Sequence, residues 1–68
     1  MPRGTVKWYN DIIGQGVITP DDGSAAITVN AIEVERAGLT TLARGRHVQY
    51  TVTGGLPRER SAVDLVPS

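Results

Sequence analysis

Lys7 and Trp8 stand side by side in the stretch VKWYN, and the pair suggests one kind of chemistry. A cation next to a stacking ring suits an unpaired polynucleotide: the ammonium meets a phosphate and the indole meets a base. Other reactive side chains are sparse. Asp11, Asp21 and Asp22 lie in or beside turns, where carboxylates are ordinarily solvated caps, so no catalytic residue is expected and the chain is not read as an enzyme. His47 has no Ser or Cys nearby in sequence, and its place in its strand puts it on the polar side. With one His and no Cys, there is no donor set for a metal and no disulfide, and no cofactor is expected. Two small basic clusters remain, Arg44 and Arg46 with His47, and Arg58 with Arg60. Each is either solvated surface or an extension of a phosphate track.

The frame that must hold these groups is small. The chain has 68 residues, which predicts a single domain spanning 1–68. Seven basic and seven acidic residues cancel, so no global field draws in a polyanion. The opening MPRGTVKW has no apolar segment and nothing approaches a membrane span, so the expected location is the cytoplasm, with no membrane partner. Phe is absent, and Trp8, Tyr9 and Tyr50 are the only aromatics, so the core must rest on Val, Ile, Leu and Ala.

Short strand-like runs alternate with turn signals. TVKWYN (5–10), VITP (17–20), AAITVN (25–30), RHVQYTVT (46–53) and SAVDLV (61–66) read as five strands. Alternation is clearest in the fourth, where Val48, Tyr50 and Val52 face one way and His47, Gln49 and Thr51 the other. PDDGS carries a turn, with Asp22-Gly23 suited to a tight hairpin. Residues 31–45 are irregular, with one helical turn at Ala31–Val34, and 54–60 form a loop. Five strands in so short a chain call for closure, because open edges invite aggregation. The expected fold is all-β, a small five-stranded antiparallel barrel. The longest connection falls between strands three and four, as in OB-folds, although composition alone does not separate this from an SH3-like barrel.

GTVKWYN, then GQGVITPDDGS, ITVNA and VERAGLTTLARGRHVQYTV, together resemble the cold-shock domain along nearly the whole chain. The resemblance implies a five-stranded OB-fold barrel that binds single-stranded RNA or DNA. Family members commonly carry two signature strands of the form K-G-F-G-F-I and V-F-V-H-F. Here the first reads IGQGVI (13–18) and the second ITVNA (27–31). The core and turn positions match: Val6, Gly14, Gly16, Ile18, Pro20, Gly23, Ile27, Val29, Gly45 and Val48. The binding positions do not. Ile13 stands for Lys, Gln15, Val17 and Thr28 for Phe, Asn30 for His, and Ala31 for a residue that is Phe or aliphatic in relatives. Leu39 replaces a loop aromatic that some relatives use, while Arg58 falls near a loop basic residue that some relatives use. By this resemblance the nucleic-acid-binding residues are Lys7, Trp8, Tyr9, Asn10, Gln15, Val17, Thr28, Asn30 and Arg58.

Base–aromatic stacking contributes about 1–3 kcal/mol per base. Losing three Phe and one His therefore forfeits on the order of 4 kcal/mol even at the low end, roughly a thousandfold in affinity. Gln15, Thr28 and Asn30 can hydrogen-bond bases, but in water such bonds exchange one partner for another and gain little. The expectation is weakened single-strand binding. The alternative is a protein-interaction or homodimerisation module, working through an apolar patch at Ile12, Ile13 and Val17. Trp8 divides two readings of its own. Strict alternation from Val6 turns it inward; the resemblance turns it outward, which requires a bulge or twist in the first strand.

Overall fold

A computed structural model describes residues 2–55 and 60–67. Five strands are present: β1 (Arg3–Asn10), β2 (Gln15–Pro20), β3 (Ile27–Asn30), β4 (His47–Thr53) and β5 (Ser61–Pro67). They close into a barrel in the order β1-β2-β3-β5-β4. Every pairing is antiparallel except β3 with β5, the parallel joint of Thr28 with Ser61 and Val29 with Ala62. Each strand is paired with a neighbour on both sides, which leaves little open edge among the described residues for another chain to extend.

The barrel forms because apolar residues recur every second position in β3 and β4. In β3, Ile27 and Val29 are buried while Thr28 and Asn30 are exposed. In β4, Val48 and Tyr50 are buried, and His47 and Thr51 are exposed. Val6, Ile18, Val34, Leu42, Ala62 and Leu65 complete the core. Between β3 and β4 lies one helix, α1 (Ala31–Arg36), two residues longer than the single turn expected from sequence. It buries Val34, and its Glu33 accepts a hydrogen bond from the Asp64 backbone N–H at 3.1 Å, which ties the helix to β5.

Strand limits differ from expectation where pairing overrides residue type. β2 begins at Gln15 and not Val17, because Gln15 pairs with both Asn10 and Asn30. β3 begins at Ile27, since Ala25 and Ala26 take no part in the ladder. The expected tight Asp22-Gly23 hairpin is not formed: a Gly23 N–H bond to the Pro20 carbonyl at 3.3 Å closes a turn with Asp21 and Asp22 at its corner, and the full β2–β3 connection runs over residues 21–26. Within it the Ser24 hydroxyl, and then the Ser24 N–H, donate to Asp22 and hold that carboxyl below its usual pKa.

Two strands change parity, and neither break is visible as alternation. In β5 the register slips against Gln49–Thr51, where Asp64 adopts φ 53°. That left-handed residue inserts an extra position, so Ala62 and Leu65 both face the core. Asp tolerates this region better than most residues. The second break, in β1, creates the candidate site.

Tyr50 is fully buried, and its hydroxyl has no hydrogen-bond partner among the described residues. Its pKa is raised, first by burial and then by the charges of Asp22 and Asp21. An unpaired buried hydroxyl costs about 1–3 kcal/mol. Tyr50→Phe is therefore expected to raise the thermal midpoint by several degrees, at about 4–8 °C per kcal/mol for a chain of this size. Calorimetry of the two proteins checks this; a lower midpoint would mean that the hydroxyl is satisfied in solution.

Candidate nucleic-acid interface

The β1–β2 ladder runs in register from Gly4–Pro20 to Val6–Ile18, then skips a residue and resumes as Trp8–Val17, Tyr9–Gly16 and Asn10–Gln15. Lys7 is the unpaired residue of this bulge. One inserted position reverses the side-chain parity of the rest of the strand. Val6 faces inward at 1% exposure, whereas Trp8 turns out and is 41% exposed. The choice between inward and outward Trp8 is thus settled by a bulge, as the family resemblance required and strict alternation denied.

From Trp8 the outer face continues across the sheet. Val17 lies opposite Trp8, and Thr28 lies opposite Val17. One step along, Asn10, Gln15 and Asn30 form a second row. At a strand spacing of about 4.8 Å, each row spans roughly 10 Å, wide enough for two or three bases. Gln15, Thr28 and Asn30 are exposed and Val17 is half-buried. The first row extends further than the sequence indicated, through Ser61 to Thr53. No sequence signal marked these two, because the closing pair of the barrel joins distant segments.

Tyr9 is set apart from Trp8. It pairs with the buried Gly16 and packs against the core. Its phenol is raised in pKa by desolvation, then by Asp11 and Glu35. Gly16 is there to admit this ring: a Cβ at that position would fall 2.7 Å from both Tyr9 Cδ1 and the Trp8 carbonyl oxygen. Asn10 also has structural work. Its side-chain oxygen accepts the backbone N–H of Ile12 at 2.9 Å and of Ile13 at 3.4 Å, and its carbonyl accepts Gly14 N–H at 2.9 Å. These bonds shape the β1–β2 turn and present Ile12, 94% exposed, and Ile13, 58% exposed. Val17, the third member of the expected apolar patch, is half-buried in the sheet and separated from the turn by Gln15 and Gly16. Arg58 lies outside the described residues; its neighbour Arg60 is exposed and precedes Ser61 in the first row.

Among the described residues, the one ion pair joins Arg36 to Glu33 at 3.5 Å, and no group of three or more acidic or His side chains could hold a metal ion. No helix of the described residues is long and apolar enough to cross a membrane.

The closed five-stranded barrel, with a ring turned outward by a bulge at Lys7, has the architecture of an OB-fold domain. Residues 2–68 match the family described as 'Cold-shock' DNA-binding domain, and the chain belongs to that family. It is 42% identical to cold shock protein CspA of Rhizobium meliloti over 64 residues, covering 94% of this chain and 93% of that one. A probable cold shock protein, y4cH, of Sinorhizobium fredii is 52% identical over 50 residues, 74% of this chain and 72% of the relative. The cold shock-like protein CspE of Escherichia coli is 42% identical over 53 residues, 78% of this chain and 77% of the relative.

Proposed function

We propose that this protein binds single-stranded RNA or DNA on the face carrying Trp8, with an affinity well below that of a fully aromatic platform. The observation that carries the reading is the Lys7 bulge, which turns the indole out beside Val17 and Thr28. Lys7 and Trp8 are both exposed and adjacent, as stacking with phosphate pairing requires. Gln15, Thr28 and Asn30 supply hydrogen-bonding groups where rings would stack, so phosphate contacts carry a larger share of the binding and the affinity falls steeply with salt. Nothing in this scheme calls for catalysis, a metal or a cofactor.

Trp8→Ala is expected to weaken binding of a labelled oligonucleotide by roughly 5- to 150-fold, the equivalent of about 1–3 kcal/mol for one stacked base. Fluorescence anisotropy of the labelled strand reads this directly. Unchanged affinity would place the ligand elsewhere on the barrel.

A second reading has an observation in its favour. Ile12 and Ile13 project from a turn held rigid by Asn10, and paired apolar residues so exposed suit a contact with a second copy or another protein. Size-exclusion chromatography of the parent beside an Ile12→Ser/Ile13→Ser variant discriminates: a dimer that the variant dissolves favours this reading, and a parent that elutes as a monomer removes the homodimer.

A further inference from the structure

Three of the chain's seven basic residues, Lys7, Arg44 and Arg46, come to one edge of the barrel, although Lys7 lies far from the other two in sequence. The β1–β4 ladder ends at Thr5–His47, but two more backbone bonds carry the contact onward. Val6 N–H donates to the Arg46 carbonyl at 2.8 Å, and Gly45 N–H donates to the Val6 carbonyl at 2.8 Å. A third bond, Arg46 N–H to the Ala43 carbonyl at 3.1 Å, closes a turn over Ala43–Arg46. Gly45 has φ 86°, the conformation that the third position of such a turn takes when it is type II. Arg44 therefore sits at the corner of a turn fixed by three backbone bonds, Arg46 at its end, and both next to the residue that precedes the Lys7 bulge.

Arg44, Arg46 and Lys7 are all exposed, and none has a carboxylate within ion-pairing distance among the described residues. Arg36, by contrast, is paired with Glu33. Asp21 accepts a bond from Thr5 Oγ1 at 3.3 Å, two residues back from Lys7. The chain is neutral overall, so three cations with no ion-pair partner among the described residues make a local field at this edge that the net charge conceals.

We propose that Arg44 and Arg46 form a phosphate grip on the β4 side of β1, so that the polynucleotide backbone runs from this turn over Lys7 and delivers its bases to Trp8 and the β2–β3 rows. This deepens the single-strand-binding reading and rests on it. The grip stands on the opposite side of β1 from Val17 and Thr28, and so lengthens the footprint beyond the sheet face. It offsets the missing cation at Ile13. Rigid placement matters here, because arginines on a turn already fixed by backbone bonds lose less freedom on meeting phosphate than arginines on a free loop. Arginine's planar fork also matches phosphate oxygens in pairs.

The test is the salt dependence of binding to a labelled mixed-sequence single-stranded oligonucleotide, followed by anisotropy. For single strands the slope of log affinity against log salt is about −0.7 per phosphate neutralised. Arg44→Gln/Arg46→Gln should flatten the parent's slope by about 1.4, and each single variant by about 0.7. Arg44→Lys/Arg46→Lys keeps the charge and should retain the parent's slope, a result that a purely structural role for the arginines would not give. Circular dichroism of each variant confirms the fold. A double Gln variant with the parent's slope overturns the grip while leaving Trp8-centred binding intact. No binding by the parent at low salt overturns both.

Discussion

Replacing Gln15, Val17 and Thr28 with Phe, Asn30 with His, and Ile13 with Lys should raise affinity for single-stranded oligonucleotides by about a thousandfold or more. The figure follows from about 1–3 kcal/mol for each restored ring and roughly 1.4 kcal/mol per decade of affinity. The geometry favours the exchange. Gln15, Thr28 and Asn30 are exposed, so larger side chains meet solvent and not the core. Val17 lies between Trp8 and Thr28, where a ring would join the indole to the next stacking position. The inward residues Gly16, Ile18, Ile27 and Val29 are untouched, so the barrel is not overpacked. Lys at position 13 would also remove one of the two exposed apolar side chains of the β1–β2 turn. Anisotropy titration of the quintuple variant beside the parent measures the gain. A folded variant that binds no better would mean that the strand twist or access to the face limits binding, and not side-chain identity.

Gly16→Ala should be strongly destabilising, because it disturbs β1 at its bulge. The added Cβ would stand 2.7 Å from the Trp8 carbonyl oxygen, which is backbone, and 2.7 Å from Tyr9 Cδ1, a ring packed against the core. Neither can move without shifting β1 beside its bulge. Overpacking of this kind costs about 1–3 kcal/mol, out of a total stability of about 3–10 kcal/mol for a chain this short. The thermal midpoint should fall by roughly 10 °C, at about 4–8 °C per kcal/mol. Binding should suffer as well, because the displaced segment carries Lys7 and Trp8. A Gly16→Ala protein with the parent's midpoint would show that β1 has more room beside the bulge than the packing of Tyr9 and Trp8 allows.

Much of this was legible in the sequence, and the reasons differ by residue. The β4 alternation of Val48, Tyr50 and Val52 needs no tertiary information, since period-two burial is local. The family motifs carried the barrel and its closure, which periodicity by itself left undecided between two barrel types. The orientation of Trp8 was not readable from alternation, because one inserted residue at Lys7 inverts everything after it. The same blindness hid Asp64: the pattern Ala62-Val63-Asp64-Leu65 makes sense only once a left-handed residue sets two buried side chains three positions apart. The resemblance assigns Asn10 to the ligand alone, and its second use, holding the β1–β2 turn, shows only in the bonds from Ile12 and Ile13. The basic edge needed the fold most of all, because Arg46 reaches Val6 across 40 positions of chain.

The intrinsic fluorescence of Trp8, the protein's one tryptophan, offers the most direct measurement of whether this face takes up a single strand. The parent is titrated with a mixed pool of short single-stranded oligonucleotides at low and at moderate salt. Binding on this face should quench the emission at micromolar oligonucleotide in low salt, and the quenching should fall strongly as salt rises. An indole whose emission stays constant at both salt concentrations, in a protein that elutes as a dimer, would contradict it.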